Sequence, residues 1–371
     1  MILLEALLAL ALLPQQPDPL AEAAAHLDAG RYAEAIAILK PLAEKEPGSV
    51  PLQFNLALAN SLAGNDAEAI QGFRKTLSLR ADLYEARLNL AQLLVKTSQF
   101  AEASSLLDAC LTAKPQDPKA AYLAARALAG IPEWDKAAAA FEKAAALSPQ
   151  DTSLALELAA AYENAKRPAD AAAVYARFPN DPAAQERRGV ILLQQGDLPG
   201  AIASLERACA KSPTPAVLYA LATAYLRNKQ PGQAIELAAK LVQADPSNFD
   251  MVLFYGRLLR DRKDYDPAAR QFLAAVKLKP DSGEAWNELT AMLLLLKQYE
   301  GALAALEKAR TLNGETPAYH YFRATMLDAL NQPKLALESY RKFLEVSLGK
   351  FPDEEWKARH RAKALEKAVG R

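Results

Sequence analysis

The sequence predicts an all-α chain, a solenoid of about ten helix–turn–helix repeats closed by a C-terminal capping helix. Three observations carry this. Ala and Leu dominate the runs while strand-favouring β-branched residues are sparse. An alanine returns every 34 residues over most of the chain. Small, large, aromatic and proline positions return in step with it.

The chain has 371 residues, 51% apolar, with only 15 Gly. That is enough to bury a large core, and length alone would allow two or three domains. The 44 basic and 44 acidic residues balance, so the chain as a whole has no general pull on nucleic acid or on an anionic membrane. Cys110 and Cys209 lie far apart and offer neither a disulfide framework nor a metal spacing. Both are expected to be small buried residues.

The ladder itself runs Ala35, Ala69, Ala103, Ala137, Ala171, Ala201, Ala234, Ala268, Ala302, Ala336. If this alanine is numbered place 20, place 8 is small throughout: Ala in most repeats, Gly189, Gly256 and Thr290 in the others. Place 24 is large in nine repeats, as in Leu39, Phe73, Phe141 and Phe272, with Ala238 the exception. Place 32 is proline six times, from Pro47 to Pro280, and place 17 is aromatic at Tyr32, Phe100, Trp134, Tyr265 and Tyr299.

A pair of antiparallel helices explains this pattern. Small side chains at places 8 and 20 let two backbones approach. The large residue at place 24 lies one turn beyond place 20 on the same face and fills the gap. The proline stops the second helix, because it has no N–H and clashes with the preceding turn. Gly30, Gly64 and Gly196 fall in the turns between helices, where a positive φ is often required. Each pair is amphipathic and buries its apolar face only by stacking on its neighbours.

This register resembles the tetratricopeptide repeat family over residues 16–350. Repeat nine is the nearest to the family pattern, with Trp286, Leu289, Tyr299, Ala302 and Ala309. The resemblance implies a right-handed superhelix whose first helices line a concave surface. It further implies a non-catalytic scaffold that binds a partner protein or peptide in that concave groove. The alternatives are a structural spacer or assembly factor of a bacterial-type envelope complex, acting through its ends and convex face, and, as a minority reading, an enzyme.

Two departures from the register divide the chain. Repeat five, residues 152–181, is four residues short, so its second helix is expected to end at Phe178-Pro179 and to leave a local kink. Repeat ten lacks the closing proline and carries Leu348-Gly349. The expected organisation is a possible signal segment at 1–15, repeats one to five at 16–181, repeats six to ten at 182–350, and a capping helix at 351–371. Asp353 is expected to cap that last helix, with Trp356 and Leu365 facing repeat ten and the charges facing out.

Met1 to Leu13 is apolar except for Glu5. It is too short for a membrane span, which needs about 20 residues. Its length suits a secretory signal with Ala9 and Ala11 at the cleavage site, although no Lys or Arg precedes it. The Pro-rich stretch from Pro14 to Pro19 would then begin the mature chain. On that reading the protein is periplasmic or secreted. The alternative is a helix packed on the first repeat, and then a cytoplasmic chain.

Chemistry-bearing motifs are absent from the sequence. His26, His320 and His360 have no metal-ligand partner at helical spacing, and there is no Gly-rich phosphate loop or nucleophile elbow. The acidic trio Asp353, Glu354 and Glu355 suits the start of a helix. No catalytic residue, metal or other cofactor is expected.

Three patches fall on the places that the resemblance turns inward. Asn55 and Asn89 share place 6 in consecutive repeats. An amide both donates and accepts, so a pair can bond the backbone of an extended peptide without reading its side chains. The series does not continue, since place 6 becomes Leu123, Glu157 and Arg187. Tyr219, Arg227, Phe254, Arg257 and Arg260 form a second patch in repeats seven and eight, suited to an acidic segment or a peptide C-terminus. Its alternative is a solvated face neutralised by Asp261 and Asp264. Phe54, Tyr122, Tyr321 and Phe322 form the third, and most of these are expected to pack between repeats. The basic C-terminal run of Lys357, Arg359, Arg361, Lys363, Lys367 and Arg371 is read as a complement to its helix dipole rather than a contact for nucleic acid or lipid.

Overall fold

The computed structural model describes residues 18–369. Among these the chain forms twenty-one helices and no strand. The apolar start of the chain, with its suggested cleavage site, lies outside the described residues.

Two compact units divide at Arg177 and Phe178. In the first, the helices are α1 (Pro19–Asp28), α2 (Tyr32–Lys45), α3 (Val50–Ala63), α4 (Asp66–Leu79), α5 (Tyr84–Lys96), α6 (Phe100–Ala113), α7 (Pro118–Ala129), α8 (Trp134–Leu147), α9 (Thr152–Asn164) and α10 (Pro168–Tyr175). In the second they are α11 (Pro182–Gln195), α12 (Leu198–Lys211), α13 (Pro215–Arg227), α14 (Pro231–Ala244), α15 (Phe249–Asp261), α16 (Tyr265–Leu278), α17 (Gly283–Leu295), α18 (Tyr299–Asn313), α19 (Pro317–Ala329), α20 (Pro333–Ser347) and α21 (Pro352–Val369). Within each unit, helices pack on their neighbours in chain order, as a solenoid requires.

The alanine ladder is the spine of this packing. All ten place-20 alanines are fully buried, and every place-8 residue is buried as well. The reason for small residues at place 8 is visible where it is glycine. A Cβ on Gly189 would stand 2.5 Å from the Leu205 side chain, and one on Gly256 would stand 2.7 Å from the Phe272 ring. Place 8 is therefore the floor on which the place-24 side chain rests.

Helix ends follow local chemistry. In eight repeats an Asp, Asn, Ser or Thr side chain caps the first helix, as Asp117 does by accepting from the Ala120 N–H at 3.0 Å. Second helices stop one residue before the place-32 proline. The residue between, such as Lys114 or Lys279, is pushed to ψ near 84 and still bonds back four residues. In the turn between helices, place 15 is left-handed in nine repeats. Gly30, Gly64 and Gly196 supply it as expected, but Ser98, Lys166, Lys229, Lys263, Lys297 and Asn331 adopt it too.

Four expectations need correction: Cys110 is buried as expected but Cys209 is only half-buried, and three concern helix ends and faces. Helix α10 has only 8 residues and stops at Tyr175, ahead of Phe178-Pro179. Helix α21 begins at Pro352, so Asp353 lies within its first turn instead of capping it. Its inward stripe is Glu355, Ala358, Ala362 and Leu365, and Trp356 is 62% exposed. Trp356 stands one residue from that stripe, about 100° around the helix, so it cannot share the face that Leu365 buries.

Candidate partner-binding surfaces

Successive first helices lie side by side within each compact unit, so their outward residues form a continuous face. In the first unit this face is made by α3, α5, α7 and α9. It holds a groove of about 920 Å³ lined by Gln92, Lys96, Lys119, Tyr122, Arg126 and Glu157, among others. Asn55 and Asn89 sit half-buried on α3 and α5. Among the described residues, neither amide is hydrogen-bonded, and the Lys119 ammonium has no ion-pair partner.

Four polar groups of the groove lining, Tyr122, Glu157, Arg126 and Lys96, are already placed. The Tyr122 hydroxyl donates to Glu157 at 2.8 Å, and Arg126 lies 3.7 Å from the same carboxylate. Burial pushes the Tyr122 hydroxyl pKa up, and the Glu157 hydrogen bond adds to the rise. Tyr122 is therefore a fixed neutral donor in the wall. Lys96 is paired with Asp66 at 2.7 Å. Gln92 and Lys119, at places 9 and 2, were missed by the sequence reading. Scanning every inward place for long polar side chains would have found them.

The second patch is arranged differently from the expectation. Tyr219 and Phe254 do meet, edge to face at 5.2 Å between ring centroids. Arg227 is turned aside, its guanidinium donating to the Leu193 carbonyl at 2.7 Å and closing the end of α11. Arg257 donates to Glu288 at 3.1 Å and also to Glu284, while Arg260 holds both Glu288 oxygens at 2.7 and 2.6 Å. Burial works against the Arg260 charge, but Glu288 and Asp261 outweigh it and raise its pKa. Of the two acids suggested as neutralisers, Asp261 does pair with Arg260, whereas Asp264 pairs with Arg262. Glu284 and Glu288 occupy places 2 and 6 of the next first helix, and reading across repeats would have exposed them.

The aromatic series divides as well. Phe54 packs on Phe73, and Tyr321 on Tyr340 and Phe343. Phe322 is 40% exposed and borders an apolar groove of about 450 Å³ with Ala291, Leu294, Leu295 and Ala318. Among the described residues, no cluster of acidic, His and Cys side chains could hold a metal ion. No helix there is long and apolar enough to cross a membrane.

A family model described as tetratricopeptide repeat matches residues 88–152, 133–182, 156–215, 219–283 and 260–313. A second model of the same description matches residues 26–82. Among curated proteins the chain is similar to the BBSome complex member BBS4 of Bos taurus, 26% identical over 201 residues, 49% of this chain and 37% of that protein. The match thus spans little more than a third of the length of that curated relative. Among solved structures it is similar to the C-terminal part of a TPR repeat-containing protein from Cytophaga hutchinsonii, with 18% identity, 66% of this chain and 99% of that one covered, and a TM-score of 0.49. It is also similar to the crystal structure of MamA protein, with 19% identity, coverage of 46% and 93%, and a TM-score of 0.41.

Proposed function

The chain belongs to the tetratricopeptide repeat family, and on that premise we propose that it is a non-catalytic scaffold whose first-helix face in the N-terminal unit holds an extended segment of a partner protein. The observation that carries this reading is the contrast between the two polar patches. Arg257 and Arg260 are occupied by carboxylates of the chain itself. Asn55, Asn89 and Lys119 are partly or fully exposed and have no such occupant among the described residues. An amide beside a strand-like peptide can give and take one bond each with its backbone. Lys119 adds a positive charge at the groove for an acidic residue of the same segment.

The test is site-specific photo-crosslinking in native extract. A benzophenone side chain at Gln92, in the groove, should capture a partner that one at the exposed Asp108 of α6 does not. Asn55→Ala/Asn89→Ala/Lys119→Ala should abolish that capture without altering thermal unfolding. Capture that survives the triple variant, or that is equal from Asp108, would sink the reading.

A second reading is that the solenoid joins subunits of a larger assembly through its ends and its second helices. The curated relative favours it, since its name makes it a member of a complex. In that case crosslinks would concentrate at Asp108 and not at Gln92.

A further inference from the structure

We propose that the outward stripe of α21 docks on the surface of an anionic membrane. This goes beyond the groove reading and does not depend on it.

The helix sorts its basic residues by face. Arg361 reaches back to Asp328 on α19, with one bond at 2.8 Å, while Arg359, itself largely exposed, is paired with Glu355 of its own helix at 3.0 Å. On the opposite side Trp356, His360, Lys363 and Lys367 follow one another at spacings of four, three and four, which places them in a single line. The Trp356 indole stands against the His360 ring at 4.2 Å between centroids, the two tilted by 39°, and both are exposed. Lys357, Lys363 and Lys367 are exposed and make no ion pair among the described residues. Charge that balances over the whole chain is therefore unbalanced here. The acids of this helix are Asp353, Glu354 and the buried Glu355 at its N-terminal end, and Glu366, which is exposed beside Lys363 and Lys367 but is held by Arg341 of α20 at 2.8 Å.

The turn that enters the helix adds apolar surface. Leu348, in the left-handed region at φ 50, is 77% exposed, and Phe351 is 38% exposed. Leu348 and Trp356 thus expose most of two large apolar side chains within nine residues, and Phe351 between them, packed on Phe343, exposes an edge.

The shape selects the class of partner. The stripe lies along the outside of a single helix about 27 Å long. Trp356, His360, Lys363 and Lys367 line none of the five main grooves among the described residues. A planar anionic surface needs none. Indole favours the headgroup boundary, and lysine stems lie along apolar surface while their ammonium groups reach lipid phosphates. The contact would be peripheral, as no described helix can span a bilayer.

The experiment is co-sedimentation of the full chain with vesicles of phosphatidylcholine alone and of phosphatidylcholine mixed with phosphatidylglycerol. Binding to the anionic vesicles only, weakened by added salt, is expected. Trp356→Ala and Lys363→Glu/Lys367→Glu should each weaken it, the double reversal by roughly tenfold or more. Both changes lie on exposed positions, so thermal unfolding should not move, and this separates lost docking from lost folding. Equal binding to neutral vesicles, no binding to either, or binding unchanged in both variants would overturn the proposal. So would tighter binding to a duplex DNA oligonucleotide than to the vesicles, which would assign the stripe to nucleic acid.

Discussion

The Glu288 carboxylate on α17 receives Arg260 from α15 at 2.6 Å and Arg257 at 3.1 Å, so one acid ties two arginines of the preceding repeat. Glu288 is 14% exposed at its side chain and each arginine 34%, a setting between a surface pair and a buried one. Glu288→Ala should destabilise the protein by about 1–2 kcal/mol, because two guanidiniums then lose their shared partner. A double-mutant cycle with Arg260→Ala in chemical denaturation measures the link. A coupling energy indistinguishable from zero would mean that solvent screens the pair completely.

That relationship marks the limit of what the sequence made legible. Places 8, 20 and 24 could be read because their packing is local, made by residues four to sixteen apart within one helix pair. Leu205 over Gly189 is such a contact. The Arg260–Glu288 bond joins residues 28 apart in neighbouring repeats, and hydrophobic periodicity says nothing about it. The left-handed turns were legible only where glycine marked them, since Lys166 or Lys263 carries no signal of its own conformation. Trp356 was assigned to the wrong face because aromatic character suggested burial. The spacing of Ala358, Ala362 and Leu365 gives the buried stripe and leaves Trp356 outside it.

The left-handed lysines give a test of conformational cost. Lys263 has φ 70, a region that disfavours any Cβ. Lys263→Gly removes that penalty and partly offsets it by loosening the unfolded chain, for a net gain of about 0.5–1 kcal/mol. The reverse change at the same place, Gly196→Ala, should lose about 1 kcal/mol through conformation alone, because a Cβ there meets nothing within 4 Å. Urea midpoints at unchanged slope would report both. A lowered midpoint for Lys263→Gly would show that the lysine side chain contributes more than its backbone strain.

His320 gives the pH dependence. It is buried on α19, and burial lowers its pKa below the ordinary 6.5. Glu315, 3.4 Å away, works in the opposite direction, while Lys342 and Arg323 add to the fall. The unfolded chain therefore takes up a proton at a higher pH than the folded one. Stability from this group is complete above about 6.5 and is lost as pH falls from there toward the folded pKa. His320→Gln should flatten the loss of melting temperature between about pH 7.5 and pH 5 relative to the unaltered chain. Parallel pH profiles for the two proteins would rule out His320 as the source.

The repeat register can be tested by two substitutions on one helix. Ala137 is the place-20 residue of repeat four and is fully buried in α8, whereas Ala139 of the same helix is exposed. Leucine has nearly the same helix propensity as alanine, so neither change should disturb α8 as a helix. At position 137 the added carbons have no space, and α7 and α8 must separate or the side chain must leave its preferred rotamer. Ala137→Leu should therefore destabilise the chain by about 1–3 kcal/mol. Ala139→Leu places the same atoms in water and should stay within about 0.5 kcal/mol. The difference between the two isolates packing from propensity. If both variants unfold with the unaltered chain, the close approach at place 20 is not what holds this helix pair, and the ladder of alanines would need another cause.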